Sequence, residues 1–308
     1  MNPEDEALLA RFMAPQTEPR RTLGDLIMEQ IQLAEARKAP AAEEGKPTST
    51  ISPRIVAVYT QVGAFLKRYK SGKLPKVFKM LPGLQNWEEL LYITQPDSWS
   101  PHAVFAATRI FASNLNALMA QRFYAIVLLP AVRDDIDENK RLNYHLYMAL
   151  KKACYKPAAF FKGIIIPLCD EGDCTLREAT IISSVIKKVS LPQLHSAATM
   201  VKIASMRYGA ATSIFLRTLF DKKYALPYRV LDAIVDHFSG FASVPGAMPV
   251  IWHQSLLSFV QRYKAHITDA QKASLRALLK VHSHREIAAA IRTELFGASR
   301  PVKASMAE

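Results

Sequence analysis

The sequence predicts an all-α protein built as a solenoid-like stack of antiparallel helix pairs, with no significant sheet. Three observations point there. From residue 51 onward, apolar residues recur at spacings of three and four almost without a break, the period of a helix with one buried face. The chain has 18 prolines against 11 glycines, a balance that suits helices cut by turns better than strands joined by glycine hairpins. Helix-starting signals, Ser-Pro pairs and capping boxes, return at intervals along the chain.

Residues 1–50 read as an extended arm. Pro3, Pro15, Pro19, Pro40 and Pro47 are scattered through it, and residues 39–50 (APAAEEGKPTST) have a linker's composition. Within the arm, Leu23, Leu26, Ile27, Ile31, Leu33 and Ala34 recur at helical spacing, which predicts a short docking helix near residues 21–37. A free helix of that length is marginal in water, so it is expected to pack on the main body or on a partner.

The helical domain is expected over residues 51–297. Ser52 and Pro53 supply an N-cap and a first-turn proline, and Ile55, Val58, Tyr59, Val62, Phe65, Leu66 and Tyr69 line one face up to a terminator at Gly72. Ser100 and Pro101 open a long helix carrying Val104, Phe105, Phe111, Leu115, Leu118 and Met119, interrupted at Pro130. Leu142, Leu146, Met148, Ala149 and Cys154 mark the next helix, and Pro157 opens another. Thr175 with Glu178 makes a capping box, as do Thr268 with Gln271 and Ser283 with Glu286; Pro192, Pro227 and Pro249 each begin a helix. Gly297 closes the last one, and residues 298–308 form a frayed tail. Only residues 163–168, with Ile164, Ile165 and Ile166, look strand-like. The sum is about ten helices with no fixed sequence period, so any repeats are degenerate.

Composition narrows the function. Forty Lys and Arg against 27 Asp and Glu give a formal charge of +13, which attracts polyanions: nucleic acid, anionic membrane or acidic protein. Cys154, Cys169 and Cys174 are too few and too uneven for a disulfide framework and lack the partners of a zinc site. The polar start lacks the apolar core of a signal peptide, and the longest apolar runs fall far short of the ~20 residues of a membrane span. A soluble intracellular protein is expected.

Catalytic signals are weak. The eight histidines form no metal-binding or nucleophile-activating pattern. Asp134, Asp137 and Glu138 could share a helix face and hold a divalent metal, but beside Arg133, Lys140 and Arg141 they read as a salt-bridge network. Asp170, Glu171 and Asp173 resemble a fragment of a calcium loop without its closing Glu, hence a turn. The SGK at residues 71–73 lacks the upstream glycine of a phosphate-binding loop. No catalytic residue, metal site or cofactor is expected.

Basic clusters carry more. Arg68, Lys70, Lys73, Lys76 and Lys79 crowd into KRYKSGKLPKVFK at residues 67–79, with Tyr69 and Phe78 between them. Charge interleaved with aromatics suits phosphate contact with base stacking, although both rings are expected to face the core. Pairs follow at Lys140/Arg141, Lys151/Lys152, Lys187/Lys188 and Lys222/Lys223. A helix C-terminus favours cations by about 0.3–1 kcal/mol, which accounts for each pair singly but not for five clusters. The predicted RNA-facing residues are Arg68, Lys70, Lys73, Lys76 and Lys79, then Lys151, Lys152, Lys187 and Lys188, all as phosphate neutralisers. Five engaged cations predict a slope of about −3.5 for log affinity against log salt on single-stranded RNA.

Longer segments closely resemble the bystin family: RYKSGKLPKVFKMLP (residues 68–82), RIFASNLNALMAQRFYAIVLLPAVRDDI (109–136), KRLNYHLYMALKKA (140–153), LPQLHSAA (191–198), DKKYALPYRVLD (221–232), VIWHQSLLSFVQRYK (250–264) and RRTLGDLIMEQI in the arm. The resemblance runs from about residue 5 to about residue 295. It implies a HEAT-like helical assembly factor without catalytic activity, bound to precursor small (40S) ribosomal subunits. It further implies a place near the forming beak, beside ribosomal proteins and other assembly factors, and a need for the factor in maturation of small-subunit (18S) rRNA and in particle export. Localisation in nucleolus and nucleus, shuttling to the cytoplasm with the particle, follows from the same resemblance. So do partners limited to rRNA and proteins, with no membrane and no small-molecule substrate. Family members usually carry a longer charged arm before the equivalent of residue 5, and the resemblance gives no expectation here for an import signal or partner site borne on it. The competing readings are a protein–protein adaptor in the same pathway with little RNA contact, an RNA-processing nuclease using Asp134 and Asp137, and a cell-adhesion adaptor that no sequence feature favours.

Overall fold

A computed structural model of the chain describes residues 52–297; the predicted arm helix near residues 21–37 and the tail at 298–308 lie outside the described residues. Among the described residues every regular element is helical and no strand occurs. These residues fall into two compact units, the first up to residue 167 and the second from residue 168 onward.

The first unit begins with α1 (Pro53–Lys67), α2 (Lys76–Met80) and α3 (Trp87–Ile93). Then come α4 (Pro101–Asn114), α5 (Ala117–Phe123), α6 (Leu129–Asn139), α7 (Tyr144–Ala153) and α8 (Pro157–Phe160); α9 (Ile166–Asp170) spans the boundary. Helix α1 packs on α3, α4 on α7, and α5 on α8. Phe78, Trp87, Phe111 and Phe123 meet in the core, the last two stacked with centroids 4.4 Å apart.

Several sequence expectations are met. Ser100 caps α4, its hydroxyl accepting from the Ala103 N–H, with Pro101 at the first helical position. Thr175–Glu178 and Thr268–Gln271 form complete capping boxes, and Pro192, Pro227 and Pro249 each immediately precede a helix. The Asp170–Glu171–Asp173 stretch is a turn around Gly172, whose φ of +76° favours glycine.

Others need correction. Helix α1 stops at Lys67, not at Gly72, because the chain turns through Arg68 to bury Tyr69. The helix opened at Ser100 does not run on through Leu118: Leu115 is extended, and the Asn116 side chain caps α5 by accepting from the Met119 N–H. Ser283 and Glu286 make no capping box; α16 (Ile287–Phe296) starts with the Ile287 N–H donating to His284 Nδ1.

Residues 163–168 are helical rather than strand-like. A π-helical turn at Phe161–Ile165 is followed by α9 with Pro167 at its second position, and a π-helical turn at Tyr124–Leu128 stands in the same relation to Pro130 in α6. A proline inside a helix donates no hydrogen bond, and its ring crowds the carbonyl four residues back. Bonds spanning five residues, Leu129 N–H to Tyr124 O and Ile166 N–H to Phe161 O, open the turn just ahead of each proline and let the helix continue. Among the described residues such segments and the break at Leu115 raise the count to sixteen α-helices, against about ten expected.

In the second unit the helices are α10 (Leu176–Lys188), α11 (Gln193–Ala204), α12 (Ala210–Phe220), α13 (Tyr228–Gly240), α14 (Val250–Tyr263), α15 (Asp269–Val281) and α16. Each packs on the next but one: α10, α12, α14 and α16 form one row, and α11, α13 and α15 another. Phe215, Phe220, Phe238, Trp252 and Phe259 fill the core of this unit, each essentially inaccessible to solvent.

Candidate nucleic-acid interface

The leading basic stretch is held by three inward anchors. Tyr69 is 9% exposed, Leu74 7% and Phe78 0%, and between them Arg68, Lys70, Lys73, Lys76 and Lys79 all stand in solvent. Phe78 meets Trp99 edge-on at 5.5 Å, so neither it nor Tyr69 is free to stack on a base. The Tyr69 hydroxyl donates to the Gly72 carbonyl at 2.8 Å, closing a turn in which Gly72 has φ +103°, a region that favours glycine. Ser100 ties this turn to α4: its hydroxyl donates to the Tyr69 carbonyl at 2.5 Å and its N–H to the Leu66 carbonyl at 3.3 Å.

That tie sets the turn beside α4 and α7, and a groove of about 520 Å³ opens between them. Lys73 and Lys79 line one side, and Arg109, Ser113 and Asn114 of α4 and Lys152 from the last turn of α7 complete it over Ala106 and Ile110. Lys79 and Asn114 also line an adjoining hollow of about 420 Å³ with Met80, Pro82, Gly83 and Leu84. The groove walls carry four cations and no carboxylate. Lys152 further lies 4.5 Å from the ring centroid of Tyr155, an exposed aromatic.

The predicted residues therefore separate. Lys73, Lys79 and Lys152 converge although they are far apart in sequence. Arg68, Lys70 and Lys76 are exposed in the same stretch, and Lys151 is half-buried on α7, but none of the four lines the groove. Lys187 and Lys188 end α10 in the second unit. Arg109 was not picked out by sequence reasoning. It is the lone Lys or Arg of α4, and clustering along the chain gives no sign of it; its place within RIFASNLNALMAQ was the available signal.

Two basic pairs have structural roles for at least one member. Lys222 donates to the carbonyls of Val189 at 2.7 Å and Lys187 at 3.2 Å, capping the end of α10. Lys140 pairs with Asp137 at 2.9 Å just past α6. Asp135 in the same acidic run accepts from the Asn143 N–H at 2.6 Å and from Asn139 at 3.0 Å, fixing the turn into α7. Lys140–Asp137 is one ion pair of the salt-bridge kind the sequence favoured for this run. Among the described residues no group of three or more His, Cys, Asp or Glu could hold a metal ion, and no helix is long and apolar enough to cross a membrane. The three cysteines are free thiols, and burial pushes the Cys169 thiol well above its ordinary value.

These features define a class: a basic, all-helical protein whose first unit carries a cation-lined groove. The family model described as Bystin matches residues 17–304. A bystin of Nematostella vectensis is 56% identical over 95% of this chain and 68% of its own length. The bystin of Homo sapiens is 54% identical over 96% and 68%, and that of Drosophila melanogaster 52% identical over 97% and 70%. The chain belongs to the bystin family. None of these names is an enzyme's.

Proposed function

We propose that this protein is a non-enzymatic ribosome-biogenesis factor that binds precursor small (40S) subunits and supports 18S rRNA maturation and particle export. The groove of Lys73, Lys79, Arg109 and Lys152 carries the reading. Four cations face one channel without a carboxylate among its lining residues, an arrangement that attracts a phosphate backbone and repels other cations. Arg68, Lys70, Lys76 and Lys151 widen the positive field around it, while Lys187 and Lys188 offer a separate contact. The next-but-one packing of α10 to α16 supports a HEAT-like stack, which leaves surfaces for ribosomal proteins and other assembly factors near the beak. Localisation in the nucleolus and nucleus, with transit to the cytoplasm on the particle, completes the proposal. The test is charge reversal, Lys73→Glu with Lys79→Glu. RNA crosslinking in cells should be lost while protein partners are retained.

The second reading is a protein–protein adaptor with little RNA contact. Helix α1 favours it, because Ile55 (43%), Val58 (41%) and Phe65 (44%) are exposed along one apolar face. Loss of partners with crosslinking intact, in the same charge-reversal variant, selects this reading instead.

A further inference from the structure

Helices α4 and α7 run in the same direction. His102 and His145, each near its helix N-terminus, lie against one another with ring centroids 3.8 Å apart and planes 34° apart, whereas Arg109, Ser113 and Asn114 meet Lys152 near the C-terminal ends. The spacing repeats: Arg109 is seven residues after His102, and Lys152 seven after His145. Seven residues are about two helical turns, so on each helix the cation lies on the same face as the imidazole, about 10 Å further along. Phe105, 6.2 Å from the His145 ring, and Ala106 on the groove floor fill the interval on α4. Tyr144 flanks the pair edge-on at 5.5 Å and is 68% exposed. Among the described residues neither imidazole makes a side-chain hydrogen bond.

We propose that the α4/α7 seam is a track for single-stranded RNA, with a base stacked on the His102–His145 pair and the adjoining phosphates in the groove of Lys73, Lys79, Arg109 and Lys152. This rests on the groove binding RNA. A polyphosphate chain alone has no use for the imidazole end, and a paired duplex keeps its base faces covered; only an unpaired strand presents both a π-face and a backbone within this span. Partial burial and the neighbouring His102 hold the His145 ring below its ordinary imidazole value, which favours the uncharged ring and hence stacking over charge pairing.

The test uses the full chain and three RNA probes: a short single-stranded oligonucleotide carrying a fluorescent adenine analogue, the same strand with abasic sites, and a blunt duplex. Replacing both rings, His102→Ala with His145→Ala, should weaken the single strand about tenfold, abolish quenching of the analogue and leave the abasic strand unchanged. The aromatic variant, His102→Tyr with His145→Phe, should restore stacking and show that the loss is not misfolding. Equal binding of the single strand by wild type and the alanine variant, with Lys73→Glu/Lys79→Glu still defective, overturns the stacking site alone. Undiminished binding by the lysine variant overturns the groove reading and this inference with it.

Discussion

Gly163 faces the Gln121 carbonyl at the crossing of the two π-turn helices, so closely that a Cβ on Gly163 would stand 2.7 Å from that oxygen and 3.2 Å from Tyr124 Cβ. Both contacts are with backbone or with the root of a fully buried side chain, and neither can move aside. Gly163→Ala should therefore cost about 1–3 kcal/mol by prising α5 from the α8–α9 run. A urea midpoint unchanged from wild type would contradict this close approach.

Salt dependence separates groove cations from bystanders. Four engaged cations give a slope of about −2.8 for log affinity against log salt on single-stranded RNA. Arg109→Ala should bring it near −2.1, whereas Lys76→Ala, outside the groove, should leave it in place. Fluorescence anisotropy across a salt series reads both.

Lys222 and Lys73 make the complementary pair of variants. Lys222→Met removes a charged donor from the Val189 and Lys187 carbonyls and should lower stability by about 1–2 kcal/mol, with RNA affinity little changed. Lys73→Met should do the reverse, because Lys73 is exposed and lines the groove. Thermal melts beside binding isotherms would expose any exchange of these roles.

Tyr69→Phe should loosen the turn that presents Lys70 and Lys73. The lost bond to Gly72 O is worth about 1 kcal/mol. Amide exchange should quicken around residues 70–73 and leave α4 unaffected.

Acid should weaken the second unit. His237 and His253 both lie below the ordinary imidazole value of 6.5, chiefly through burial. The Ala204 carbonyl at 2.7 Å partly offsets this for His237, and His284 and His282 add to it for His253. Between the folded and unfolded values the unfolded chain binds more protons, so this share of stability is complete above about pH 6.5 and is lost as pH falls below it. The urea midpoint should drop between about pH 7 and 5, and His253→Gln should flatten that drop.

Helix starts were legible in the sequence because their signals are local: Ser100, Thr175 and Thr268 cap through residues three positions away. The helical character of residues 163–168 was not, since three successive isoleucines favour a strand locally while packing against α5 and the π turn before Pro167 decide otherwise. At the candidate interface, the basic stretch at residues 67–79 could be found by clustering. Its junction with Arg109 and Lys152 could not, because that depends on Ser100 tying a turn to α4 and on α4 lying beside α7. Nor did adjacency distinguish Lys222, a capping donor, from an RNA-facing lysine.

The groove draws its four cations from three separated stretches of polypeptide. An incompletely folded chain thus carries the same positive charge without the same spacing, and can cling to any polyanion but discriminate among none. Under the proposed function, selective engagement becomes a property of the finished fold, so a defective copy would lose its choice of target before it lost its stickiness.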